Sequence, residues 1–175
     1  MKKILLLAAL FVAIFFVGCQ TAPAAHEASR QAFTPEVTIQ VDAAQGEESF
    51  DNVLGKEWKL VDVLLDGRNV GFSRDLLAAK GFRDAFTLQF DTGSLGGAAA
   101  PNRYFAQYTL SEDRGISVGL VAGTRMAPIA ELEQLREHDY LFFVQSIYRW
   151  SLAGGKLELS SRGRNDEAVK LVFQQ

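Results

Sequence analysis

The chain has 175 residues, with 18 lysines and arginines against 21 aspartates and glutamates and a formal charge of −3. That balance, with no basic stripe interleaved with aromatics, argues against nucleic acid as a partner. A single cysteine leaves no intramolecular disulfide, and two distant histidines, His26 and His138, give no metal-ligand spacing.

The chain opens with Lys2-Lys3 and a 14-residue apolar run, Ile4 to Val17. A membrane span needs about 20 residues, so this reads as an export signal over residues 1–18. Its end, Phe16-Val17-Gly18-Cys19, resembles a bacterial lipobox, with Phe16 where leucine is commonest; the bland alternative is an ordinary cleaved signal with a chance cysteine. The lipobox resemblance implies a lipid on Cys19, which becomes the mature N-terminus and the link to the membrane. Two or more acyl chains hold a protein stably where one binds only marginally. Gln20 after the cysteine resembles an outer-membrane sorting choice, implying a periplasm-facing site on the outer membrane rather than the inner one in a diderm host. Removal of Lys2 and Lys3 takes 18 basic residues to 16 against 21 acidic ones, a charge of −5.

Residues 19–50 are rich in Ala, Gln, Glu, Thr and Pro and read as a tether with an end-to-end distance on the order of 30 Å. Val37 to Val41 alternates and is either part of this tether or an edge strand. Residues 51–175 form one domain. Trp58 to Leu65 reads as a strand ended by the turn pair Asp66-Gly67, and a short helix over Arg74 to Lys80 is framed by Ser73 and Gly81. Phe86, Leu88 and Phe90 put a core face on the next strand, which runs into the glycine block Gly93 to Gly97. That block lacks the lysine of a phosphate-binding loop and precedes a strand, so it reads as a turn or bulge.

Arg103 to Leu110 alternates again, placing Tyr104, Ala106, Tyr108 and Leu110 on one face. A polar turn at Ser111 to Gly115 leads to a returning strand with Ile116, Val118 and Leu120. Thr124-Arg125-Met126-Ala127-Pro128 closes this pair, and Pro128 suits a first helical turn. The helix predicted from Ile129 carries Leu132, Tyr140, Phe143 and Ile147 on an apolar stripe broken by Arg136. Tyr148 to Leu152, then Leu157 and Leu159 beyond Gly154-Gly155, form a hairpin, and Val169, Leu171 and Phe173 close the sheet. The expected fold is α+β, a curved, mainly antiparallel sheet of six or seven strands with one principal helix.

Two blocks carry a family resemblance: Gly93-Ser94-Leu95-Gly96-Gly97 followed by Asn102-Arg103-Tyr104-Phe105-Ala106-Gln107-Tyr108, and Thr124-Arg125-Met126-Ala127 followed by Glu131 and a helix. In this order the chain resembles the META domain family, the HslJ-like bacterial lipoproteins. Many members have cysteines where Pro101 and Pro128 stand here. The resemblance implies a non-catalytic envelope protein, linked to the stress response, that acts by binding or protection. It marks Asn102, Tyr104, Tyr108, Thr124, Arg125, Met126 and Glu131 as motif positions.

From the residues alone, Met126 reads as a core filler, and Arg125 as pairing with Glu131 or Glu137; the functional alternative sets Arg125 beside Tyr104 or Tyr108 as a patch for a partner. No serine has a histidine or lysine context, and the carboxylates Asp84, Asp91, Glu131 and Glu137 read as solvated, so no catalytic residue, metal or cofactor is expected. Two alternatives stay open. Gly55-Lys56-Glu57-Trp58 is faintly similar to the start of a lipocalin, which would make the domain a carrier of a small apolar ligand. An envelope hydrolase would need convergent polar groups in a pocket.

Overall fold

The computed structural model describes residues 48–127 and 135–175. Cys19, His26, Val37 to Val41, and the segment with Pro128, Ile129, Glu131, Leu132 and Glu133 lie outside the described residues. The described elements begin with a 3₁₀ turn, Phe50–Asn52, followed by β1 (Glu57–Leu65), β2 (Arg68–Asn69), α1 (Arg74–Ala79), β3 (Thr87–Asp91) and β4 (Ser94–Ala98). Then come β5 (Arg103–Ser111), β6 (Gly115–Val118), β7 (Ala122–Gly123), α2 (Glu137–Gln145), β8 (Arg149–Ala153), β9 (Lys156–Arg162) and β10 (Ala168–Gln174).

The strands pair antiparallel in the order β1-β3-β4-β5-β6-β8-β9-β10, and β10 returns to β1 in a register from Lys59 opposite Gln174 to Leu65 opposite Val169. Eight strands therefore close into a barrel, and β2 and β7 are short additions paired to β1 and β5. This overturns the expected α+β sheet of six or seven strands with one principal helix. The physical reason is twofold. Alternation has period two in an open and a closed sheet alike, so the pairing of first and last strands leaves no local trace. The glycine block, read as a turn or bulge, is in large part the strand β4.

The predicted turns carry the backbone that tight hairpins need. Asp66 and Gly67 lie at φ 49° and 76°, and Gly154 and Gly155 at 59° and 74°, matching a type I′ turn whose twist suits the flanking strands. Ser73 caps α1, its hydroxyl accepting from the Leu76 amide.

Side chains fill the barrel. Trp58, Leu60, Leu88, Phe90, Leu157, Leu159, Leu171 and Phe173 are buried on its inner face. One end is plugged by Phe50, whose ring meets Phe90 edge-on at 5.2 Å and Trp150 at 4.9 Å; this places in the core the last residue of the stretch read as tether. There the Trp58 indole donates to the Val53 carbonyl at 3.0 Å, so a buried polar group is satisfied. The other end is covered by α2, which buries Tyr140, Phe143 and Val144, while the Ser161 hydroxyl donates to the Phe143 carbonyl at 2.6 Å. The described helix starts at Glu137, with Arg136 exposed at its N-cap, and Ile147 is buried just beyond its end. Tyr104, Ala106 and Tyr108 face inward as predicted, but Leu110 is exposed, and β6 stops at Val118 so that Leu120 is 86% exposed.

Candidate functional site

The residues of the two motif blocks meet around one buried amide. Asn102 immediately precedes β5, and its side chain uses its full hydrogen-bonding capacity. Nδ2 donates to the Met126 carbonyl at 3.1 Å and to Glu137 Oε2 at 3.0 Å. Oδ1 accepts from the Thr124 hydroxyl at 2.8 Å and from the Met126 amide at 2.6 Å. The Asn102 backbone N–H donates to Glu137 Oε1 at 3.1 Å, so the carboxylate grips side chain and backbone together. Thr124 adds a second tie, since Arg103 N–H donates to its hydroxyl at 3.2 Å and its own N–H donates to the Arg103 carbonyl at 3.0 Å. One asparagine thus fastens the strand-to-helix segment to β5 on one side and the first turn of α2 on the other.

That arrangement revises the sequence reading of several residues. Glu137 is engaged by Asn102 and is not the partner of Arg125, which is exposed. Met126 is 55% exposed and fills no core gap. Tyr104 and Tyr108 lie inside the barrel, so neither forms a surface patch with Arg125. The Tyr108 hydroxyl donates instead to the Asp91 carbonyl at 2.9 Å. Glu131 falls outside the described residues.

Beneath the asparagine lies a second tie between the same two elements. The Tyr104 and Tyr140 hydroxyls are 2.8 Å apart, and both reach the Thr87 carbonyl, at 2.8 and 3.1 Å. Two hydroxyl hydrogens serve three short contacts, so at any moment one of the three has no hydrogen of its own. The spacing explains how: Asn102, just before β5, and Tyr104 within it are two apart, Glu137 and Tyr140 are three apart on a helix, and each pair shares a face. This matched spacing was present in the sequence, yet nothing local to either segment identifies its mate. Burial raises the pKa of both phenols, well above the ordinary tyrosine range.

An alkaline titration tests this geometry. The folded pKa values are raised above the unfolded value of about 10, so the stability they contribute is complete below that pH and lost as pH rises above it. Each phenol is expected to add a slope of up to about 1.4 kcal/mol per pH unit there. Tyr140→Phe should lower stability by about 1 kcal/mol at neutral pH and make the alkaline slope shallower; urea midpoints at a series of pH values measure both.

Above the tie, a surface cleft of 480 Å³ opens between Thr124–Ala127 and the start of α2, with Asn102 and Glu137 in its wall, Arg125 and His138 as its basic groups, and Met126, Ala127 and Leu141 as its apolar ones. His138 Nε2 is 3.0 Å from Asp139 Oδ1, and Arg136 Nε lies 2.9 Å from the other oxygen of that carboxylate. These exposed pairs contribute little to stability, on the order of 0 to 1 kcal/mol. Among the described residues the lining offers no serine or cysteine, and its one hydroxyl, on Thr124, donates to Asn102. Among the described residues no group of three His, Cys, Asp or Glu side chains converges as a metal site, and no helix is long and apolar enough to cross a membrane.

The META domain family model matches residues 51–174. A solved structure of a protein from Burkholderia xenovorans superposes with a TM-score of 0.51 at 23% identity, covering 71% of this chain and 86% of that one. A DUF4847 family protein from Bacteroides vulgatus gives a TM-score of 0.46 at 13% identity over 71% of this chain and 95% of that one. A comparison with curated proteins finds no match.

Proposed function

Because the chain belongs to the META domain family, we propose that it is a lipid-anchored protein of the bacterial envelope whose barrel binds a partner without transforming it, through the cleft above Asn102. The observation that carries this reading is the division of labour within the motif. Asn102, Thr124 and Glu137 use their polar groups on one another, while Arg125 and Met126, held between them, face solvent. A basic group beside an exposed thioether and Leu141 suits an envelope protein or a small apolar ligand carrying an acceptor. The absence of turnover is supported by the same bonds: the Glu137 carboxylate, the cleft's natural base, holds two donors from Asn102. Lipid attachment at Cys19 and an outer-membrane, periplasm-facing location rest on the lipobox and Gln20.

A carrier role draws support from the closed eight-strand barrel, an architecture that holds a small ligand in some proteins. Here Trp58, Phe90 and Leu159 occupy the interior, so a carrier of this kind would take its ligand at the outer cleft. The test has two parts. In the native host, Cys19→Ala is expected to move the protein out of the membrane fraction or leave an uncleaved precursor, and intact-mass analysis of the wild type should find acyl groups on Cys19. A photo-crosslinker at Met126 should give a discrete adduct that Arg125→Glu weakens. Membrane retention of the variant with no acyl mass on the wild type would refute the anchor, and an adduct indifferent to Arg125→Glu would refute the cleft.

A further inference from the structure

We propose that the outer wall of the barrel carries a separate binding site, for an uncharged pyranose unit of a glycan, in a trough across β1, β3 and β4. The trough has a volume of 220 Å³, the scale of one sugar ring, and is lined by polar side chains: Glu57, Gln89, Asp91 and Arg103. Gly96 makes room for it. In β4, Leu95 points into the core, so Gly96 faces outward between its cross-strand partners Gln89 and Phe105. A side chain at 96 would fill this space, and its Cβ would stand 3.0 Å from the Tyr104 carbonyl oxygen and 3.8 Å from Phe105 Cβ.

Phe105 does not line the trough itself but borders it, as the cross-strand partner of Gly96. It sits mid-strand on the outer face, two residues from Arg103, and is 65% exposed. A pyranose presents an apolar C–H face and a rim of hydroxyls, and it is recognised by a flat aromatic beside convergent acceptors and donors. Phe105 beside Gly96 supplies the flat surface. Glu57 and Asp91 supply acceptors, Arg103 supplies donors, and Gln89 supplies both. Gln89 Nε2 donates to Asp91 Oδ1 at 3.2 Å, which fixes one carboxylate in the trough before any ligand arrives. Two carboxylates repel a phosphate or an acidic sugar, and the polar lining disfavours an acyl chain. The site is independent of the cleft above Asn102.

Saturation-transfer NMR on the full chain in detergent, with chitohexaose and maltohexaose as probes, tests the assignment. Protons of at least one oligosaccharide should receive saturation with millimolar affinity. Phe105→Ala and Gln89→Ala, both surface changes, should each weaken binding about tenfold while thermal midpoints stay put, and Met126→Ala in the cleft should leave binding intact. No transfer to either probe would overturn the proposal. So would transfer that survives Phe105→Ala unaltered, or that Met126→Ala reduces equally.

Discussion

Gly97→Ala is expected to lower the stability of the barrel by about 3 to 5 kcal/mol, a large share of the roughly 5 to 15 kcal/mol that holds a domain of this kind folded. A Cβ at this position would lie 2.0 Å from the Thr87 carbonyl oxygen and 2.7 Å from its carbon. Both are backbone atoms, so no side chain can rotate away to relieve the overlap. The same oxygen accepts from Tyr104 and Tyr140, and the new methyl group would also stand 3.0 Å from the Tyr104 hydroxyl. Moving β3 away from β4 therefore disturbs the buried tie to α2 as well, and the cost exceeds that of ordinary overpacking. Gly119→Ala is the control. Its Cβ would come no closer than 3.4 Å to the Gln107 carbonyl oxygen, and the change should stay within about 1 kcal/mol. Equal urea midpoints for the two variants would show that the close approach at Gly97 is not a constraint.

That glycine also shows where the sequence is legible and where it is not. Alternating strands such as Tyr104 to Tyr108 announced their buried faces because a half-buried strand repeats every two residues, while Phe86, read with the next strand, is buried just before β3 at φ 55°. Turns at Asp66-Gly67 and Gly154-Gly155 were equally visible, since only certain residues tolerate their backbone angles. Ser94 to Ala98 was not, because three of its five residues are glycine or alanine and carry no alternation; the reason for Gly97, the approach of Thr87, lies on another strand. Closure of β1 on β10 was hidden in the same way, being a pairing of residues more than a hundred positions apart. At the site, the motif identified Asn102, Thr124, Arg125 and Met126, but its partners Glu137 and Tyr140 are fixed by the docking of α2. Arginine seeks carboxylates, so the sequence alone points to Arg125 as the structural member. In the fold the short, neutral Asn102 takes Glu137, since its amide both donates and accepts and so serves the carboxylate, Thr124 and Met126 at once.

Asn102→Asp is the sharper test of that junction, with an expected cost of about 3 to 5 kcal/mol at neutral pH. The change keeps the size of the side chain and removes two donors. The oxygen replacing Nδ2 would face the Met126 carbonyl and Glu137 Oε2, where Nδ2 now stands at 3.1 and 3.0 Å. Two carboxylates at that distance cannot both ionise freely, so the pair in the folded variant would hold a proton to a higher pH than in the unfolded chain. A folded pKa raised above the unfolded value means that stability is retained at low pH and lost as pH rises through the folded pKa. The gap between variant and wild type should therefore be smallest near pH 4 and widest near pH 7, by about 1 kcal/mol or more. Asn102→Ala, which adds no charge, should be destabilising without that trend. Arg125→Met, at an exposed position, should change stability by no more than about 0.5 kcal/mol. Urea denaturation of the three variants at both pH values separates the outcomes. A pH-independent deficit in Asn102→Asp would mean that Glu137 does not face the amide, and a large loss in Arg125→Met would return the structural role to the arginine.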